Sequence, residues 1–176
     1  MALSLKNILK YLVNGNYSEL RGVLEAHEDP LCQYYLGLLY ARGWGVDIDL
    51  SKAATYYQFA AENGYSEGAY RLGLLFLNDE GLGEDLPAAQ RWFELGAEQG
   101  HKGAQYELGM MLLDGTSGTV DQKKAVELFR LSAERGFPKA MFELGKALRS
   151  GLGVSKVKNE ARILLRLADV EGCREV

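Results

Sequence analysis

Residues 31–66 read LCQYYLGLLYARGWGVDIDLSKAATYYQFAAENGYS, and the Leu36-Gly37 pair near their start returns as Leu72-Gly73, Leu108-Gly109 and Leu144-Gly145. Each step is 36 residues. Self-similarity at a period of roughly 20–50 residues marks a solenoid, a propeller or an array. Four copies follow one another at 31–66, 67–102, 103–138 and 139–176, and each reads as helix, glycine-rich loop, helix, turn. The expected fold class is all-α, a solenoid of helical hairpins, with residues 1–176 forming one domain.

Working outward, residues 1–30 lack the Leu-Gly pair. A helix is expected over 4–13, capped by Ser4, with Leu5, Ile8, Leu9 and Leu12 on one face. Asn14-Gly15-Asn16 is a turn signal, and a second helix runs from Tyr17 to His27 with Leu20, Val23 and Leu24 inward. Asp29-Pro30 is expected to close this hairpin, because proline disfavours helix in the residue before it. The segment reads as an irregular terminal hairpin that covers an open end.

Within each repeat, a glycine inside a helix costs about 1 kcal/mol against alanine. Four copies therefore need a compensating gain. The simplest source is close approach of a neighbouring helix backbone at Gly37, Gly73, Gly109 and Gly145. Loop glycines follow as Gly43-Trp44-Gly45-Val46, Gly81-Leu82-Gly83, Gly115-Thr116-Ser117-Gly118 and Gly151-Leu152-Gly153-Val154. No strand precedes them and no Lys-Ser/Thr pair follows, so they are not phosphate loops. Asp49, Asp85 and Asp121 stand in register before the second helices, where a carboxylate caps backbone N–H groups. Shared cation binding by these aspartates is disfavoured, since stacked helices are about 10 Å apart. The fourth copy is Val157, with Ser155 as the candidate replacement cap. The second helices carry Ala53-Tyr56-Tyr57-Ala60, Ala89-Trp92-Phe93-Gly96, Ala125-Leu128-Phe129-Ser132 and Ala161-Leu164-Leu165-Ala168, each one helix face. Gly64, Gly100, Gly136 and Gly172 end them.

Composition narrows the function. A net charge of −4 argues against a nucleic-acid partner, which needs a basic stripe. No apolar run is long enough to insert into a membrane. Lys6 and Lys10 lie inside the periodic pattern, so the first helix reads as folded rather than as a signal peptide. Cys32 and Cys173 give neither a disulfide framework nor metal spacing. The expected compartment is the cytoplasm, or the periplasm if a signal was removed before residue 1. His27 and His101 are isolated, and no H-E-x-x-H or paired-carboxylate pattern exists, so no enzyme, metal or cofactor is expected.

Together these residues resemble the Sel1-like repeat family, relatives of the tetratricopeptide repeat. Ala104, Tyr106, Leu108 and Gly109 match the start of its pattern; Tyr40, Gly43, Gly45, Val46, Asp49, Lys52 and Ala53 match its middle. Trp92, Phe93, Ala97 and Gly100 match its end. The second loop is shifted by two residues, the third is altered, and the fourth second helix lacks aromatics, which leaves loop shapes open. The resemblance implies a right-handed α-solenoid acting as a bacterial or eukaryotic protein–protein adaptor. Penicillin-binding or hydrolytic activity described for some cysteine-rich members has no support in these residues.

In that architecture the first helices line a concave groove for an apolar helix or extended peptide of a protein partner. The candidate groove residues are Tyr34, Leu38, Arg42, Tyr70, Leu74, Leu77, Asn78, Tyr106, Met110, Leu113, Asp114, Phe142, Lys146 and Arg149. The alternative is that tight stacking buries the tyrosines and leucines as core. A second expectation concerns the row Phe59, Leu95, Leu131 and Leu167, which in the earlier repeats would pack on the next hairpin. Ile163, Leu167 and Val170 would then form an apolar end through which the chain could meet a second copy of itself. The expected function is a non-catalytic adaptor. The alternative is an immunity-type protein that occludes a toxic enzyme.

Overall fold

The computed structural model describes residues 4–78, 83–116, 118 and 120–173. Ten helices and no strands are found among the described residues. They fall into two compact units, Met1–Gln99 and Gly100–Val176. The first holds α1 (Leu5–Asn14), α2 (Tyr17–Glu25), α3 (Pro30–Arg42), α4 (Leu50–Glu62), α5 (Ser66–Leu77) and α6 (Leu86–Glu98). The second holds α7 (Lys102–Asp114), α8 (Gln122–Glu134), α9 (Pro138–Ser150) and α10 (Lys158–Val170).

In the first unit α3 packs on α4, α4 on α5, and α5 on α6; in the second α7 packs on α8, α8 on α9, and α9 on α10. The repeated glycines explain the first-to-second helix contact. A Cβ built on Gly37 would fall 2.6 Å from the Tyr57 ring, on Gly73 2.5 Å from Phe93, and on Gly109 2.6 Å from Phe129. On Gly145 it would meet Leu165 at 2.8 Å. The expected close backbone approach is thus chiefly an approach by a side chain twenty residues on. The carbonyl oxygens of Ala53, Ala125 and Ala161 come next, at 3.1–3.3 Å, against Gly37, Gly109 and Gly145. Each missing methyl makes the socket for a large apolar group of the same hairpin, which offsets the low helix propensity of glycine through burial.

The loop of each of the four repeats closes on the same backbone bond. Asp49 N–H donates to Tyr40 O (3.1 Å), Asp85 to Phe76 (3.0 Å), Asp121 to Leu112 (2.9 Å) and Val157 to Leu148 (3.1 Å). The shifted second loop and the altered third keep this bond, so the register of the second helix survives changes in loop glycines. Asp49, Asp85 and Asp121 then cap α4, α6 and α8, accepting from the N–H of Lys52 (2.9 Å), Ala88 (2.8 Å) and Lys124 (3.0 Å). The Lys52 bond holds the Asp49 carboxyl below its ordinary pKa. At α10 the N-cap is Val157, with no side-chain bond; Ser155 does not replace the lost aspartate, because it lies two residues before the cap position.

Residues 4–30 differ from expectation in two ways. Ser4 makes no side-chain cap bond. Asp29-Pro30 starts α3 instead of closing α2: Asp29 accepts from Cys32 N–H at 3.1 Å and Pro30 occupies the first turn, where its missing N–H costs nothing. The hairpin is also more repeat-like than a simple cap. Ile8, Leu20 and Leu24 form one core with Cys32, Leu36 and Leu39. Gly45 of the first loop lies against the start of α2, its built Cβ 2.7 Å from Tyr17 Cβ, while Trp44 stacks on the Tyr17 ring at 5.5 Å. In the second unit Gly153, the equivalent loop glycine, lies against Gln122 at the start of α8. So α2 receives the first repeat as α8 receives the fourth.

Candidate functional site

The tyrosines three residues before Gly37, Gly73 and Gly109 are anchored to the scaffold. Tyr34 is only 6% exposed and belongs to the core, which corrects its placement in the groove. Its ring lies 5.1 Å from Tyr35, 5.8 Å from Tyr57 and 5.1 Å from Tyr65. The reason is the socket just described: the ring seated over Gly37 is reached from the same helix face one turn back. Tyr70 lies 6.2 Å from Phe93, and Tyr106 lies 6.0 Å from Phe129 and 5.3 Å from Phe137. These two are half-buried. Burial raises the Tyr34 and Tyr57 hydroxyls above their ordinary pKa.

Two equivalent clefts open between successive first helices, one in each unit. The first, about 190 Å³, is lined by Leu38, Ala41, Arg42, Leu50, Tyr57, Arg71, Leu74, Leu75 and Asn78. The second, about 110 Å³, is lined by Leu113, Val126, Phe129, Glu143, Lys146, Ala147, Ser150 and Leu152. The first gathers the expected Leu38, Arg42, Leu74 and Asn78, and the second the expected Leu113 and Lys146. The floor of each is the socketed ring, Tyr57 or Phe129.

Sequence reasoning missed Arg71 and Glu143, two residues before the repeated glycine. The signal was available: Arg71, Leu74 and Asn78, like Glu143, Lys146 and Ser150, are spaced i, i+3, i+7 and share one helix face. Arg71 pairs with Glu67 at 2.9 Å. Burial works to lower its pKa, but Tyr34 and Glu67 raise it further, so the guanidinium stays charged in the cleft wall. Glu143 pairs with Lys146 at 2.8 Å, and Lys146 also sits 5.0 Å over the Phe142 ring. Each cleft wall thus carries a paired cation, and the first adds the Arg42 guanidinium. Leu77 and Met110 are half-buried, and Asp114 is exposed at the end of α7. Arg149 lies at the last turn of α9, beside α10.

On α10, Ile163, Leu167 and Val170 are 57%, 49% and 82% exposed. The premise about their row needs correction. Phe59 and Leu131, at the position of Leu167, are themselves 40% and 43% exposed. That row stays part-exposed in these repeats and is not sealed by the hairpin that follows. The neighbouring hairpin is received one face round, at Ala61 and Ala133, both buried. What distinguishes α10 is Ile163 and Val170, which stand where α4 and α8 carry Thr55 and Glu62, or Glu127 and Glu134.

Among the described residues no three His, Cys, Asp or Glu side chains form a metal-sized group, and no helix is long and apolar enough to cross a membrane. Cys32 is buried, and burial, then Asp29, pushes its thiol up to about 12.

Socketed hairpins with inner clefts define an all-α helical-repeat protein of the solenoid class. More particularly, the chain belongs to the Sel1 repeat family, whose repeat model matches residues 30–65, 66–101, 103–137 and 138–168. Among solved structures it is similar to a Sel1 repeat protein from Oxalobacter formigenes, with 27% identity over 97% of this chain and 71% of that one, at a TM-score of 0.86. It is also similar to a protective antigen present in uropathogenic Escherichia coli strains and displaying an SLR fold. There the identity is 32% and the TM-score 0.81, over 89% of this chain but 33% of that one, so this chain spans a third of that protein. An immunity protein from Pseudomonas aeruginosa shares the fold at 20% identity and a TM-score of 0.54, over 89% of this chain and 56% of that one. Comparison with curated proteins gives no match. Sel1 repeat proteins are generally protein-interaction scaffolds and typically non-catalytic.

Proposed function

We propose that this protein is a non-catalytic adaptor that holds a segment of another protein against its inner clefts. The observation that carries the reading is the pairing, in each cleft, of leucines with charged groups above a fixed aromatic floor. In the first unit this gives Leu38 and Leu74 beside Arg42, Arg71 and Asn78, a surface suited to a segment with an apolar side chain and a carboxylate. Selection of peptides from a random library on the intact protein tests it. The expected binders carry an apolar residue next to Asp or Glu and are lost on Leu74→Glu and on Arg42→Glu, while far-UV circular dichroism stays unchanged. Binders that survive both substitutions would place recognition elsewhere.

Exposure of Ile163, Leu167 and Val170 favours a second contact, between copies of the chain through the outer face of α10. A light-scattering mass should rise with concentration and fall back to the monomer on Val170→Glu. A strict monomer at high concentration removes this contact.

A further inference from the structure

The floors of the two inner clefts differ by one oxygen. Tyr57 closes the first and Phe129 the second, each seated at a repeated glycine. Only 2% of Tyr57 is exposed, yet its side chain ends in a polar group. That hydroxyl makes no hydrogen bond to any described residue, whereas the neighbouring Tyr34 hydroxyl is taken up by the Arg71 guanidinium. Nor is it sealed away: among the described residues, the buried polar side-chain atoms without a partner are Arg21 Nε, Gln99 Oε1 and Gln105 Oε1. The little of Tyr57 that meets solvent therefore includes its oxygen, and the opening beside it is the first cleft, about 190 Å³. Arg71 and Arg42 of the cleft wall both act electrostatically on the hydroxyl, which places it on the cleft side of the ring.

A guest that fills this cleft has to answer the hydroxyl. An apolar side chain pressed onto the floor would cut the oxygen off from water and leave it unpaired, which costs about as much as a lost hydrogen bond. A neutral amide would pair with it but would gain little from the cation at the rim. A carboxylate meets both. The Tyr57 hydroxyl can donate to it, and the exposed Arg42 guanidinium has no carboxylate partner among the described residues. Arg71 adds less, because Glu67 already holds it at 2.9 Å. Burial opposes ionisation of the hydroxyl, so it stays a donor at neutral pH.

We propose that Tyr57 is the specificity-determining residue of the first cleft, its hydroxyl and Arg42 together receiving the side-chain carboxylate of an aspartate or glutamate in the partner segment. This role rests on the adaptor reading and makes it more particular. The acid enters the cleft head first, and its apolar neighbour lies against Leu38 and Leu74. The second cleft, floored by Phe129 and with Lys146 already paired to Glu143, has no such demand.

Tyr57→Phe removes the oxygen alone and copies the floor that Phe129 makes, so the variant is expected to fold normally. One synthetic library of short random peptides, acetylated and amidated, is selected in parallel on the intact wild-type chain and on the variant. Wild type should enrich Asp or Glu beside an apolar residue, and the variant should lose most of that enrichment. One acidic binder is then remade with the acid as Gln and as Met. Tyr57→Phe should weaken the acidic peptide about tenfold, as expected for a hydrogen bond to a charged group, and should tighten the Met peptide. Leu74→Glu should abolish binding of the acidic peptide. A selection without binders, or binders indifferent to Leu74→Glu, would overturn the adaptor reading and this role with it. Binders lost on Leu74→Glu but equally tight on Tyr57→Phe would leave the adaptor reading standing and overturn the role of Tyr57. Equal weakening of the acidic and Met peptides by Tyr57→Phe would mark a merely structural hydroxyl and overturn it too.

Discussion

Gly73 and Gly22 are both helical glycines, and their alanine variants are expected to move stability in opposite directions. Nothing lies within 4 Å of a Cβ built on Gly22, in α2, so Gly22→Ala should gain up to ~1 kcal/mol from helix propensity alone. At Gly73 the same gain is outweighed, because the methyl must displace the fully buried Phe93 ring; overpacking of this kind costs ~1–3 kcal/mol. Urea denaturation should show Gly22→Ala with a raised midpoint and Gly73→Ala with a lowered one. A second residue-scale effect concerns Glu107. Burial raises its pKa, with Lys139 opposing. A carboxyl whose folded pKa is raised loses stability as pH climbs from the unfolded value, about 4.3, through the folded one. Glu107→Gln should therefore raise the melting temperature at pH 7, and the gain should fade below about pH 4.

At the scale of the helix, α10 is the outlier among the four second helices. Its N-cap residue Val157 has φ −129° and ψ 86°, close to Asp85 (−135°, 85°) and Asp121 (−136°, 86°). The backbone is already shaped for a capping aspartate that the side chain does not supply. Val157→Asp should stabilise α10 by ~0.5–1 kcal/mol, at the low end of capping gains because Glu160 follows at the third helical position. Thermal melting by circular dichroism checks this. Much of the element scale was legible beforehand. Asp49, Asp85 and Asp121, and the turn glycines Gly64, Gly100 and Gly136, act within one turn of where they stand in the chain, so spacing alone located them. The contact partner of Gly37 was not legible in the same way. Whether backbone or ring fills its socket depends on how far apart α3 and α4 settle. The clefts were legible in half: Leu38, Arg42, Leu74 and Asn78 were found, but Arg71 was not. Which flank of a first helix faces its neighbour is set by the angle between hairpins, and that angle is written in no single repeat. Tyr34 was lost to the core because the Tyr57 ring socketed at Gly37 is reached from the same helix face one turn back.

The whole chain carries built-in reporters for one of its two units. Both tryptophans, Trp44 and Trp92, and the buried thiol of Cys32 belong to Met1–Gln99. With its thiol pushed up to about 12 and its side chain buried, Cys32 should resist thiol reagents at pH 8 while half-buried Cys173 reacts promptly. Across a urea series, Cys32 labelling should rise with the same midpoint as the change in tryptophan fluorescence. Labelling well below that midpoint would mean that α3 opens locally, without the rest of its unit.

The ring or leucine that fills each glycine socket lies in the same hairpin as the glycine, and so does the bond that closes each repeat's loop. A genetic exchange with breakpoints in the turns between hairpins, for instance at Gly64-Tyr65 and Gly136-Phe137, would carry both features across intact. Duplication, loss or shuffling of such segments leaves every glycine with its own socketed side chain. The piece of this protein best suited to inheritance is thus the hairpin, and its neighbours are free to diverge in the charges they show to one another, as α10 has done.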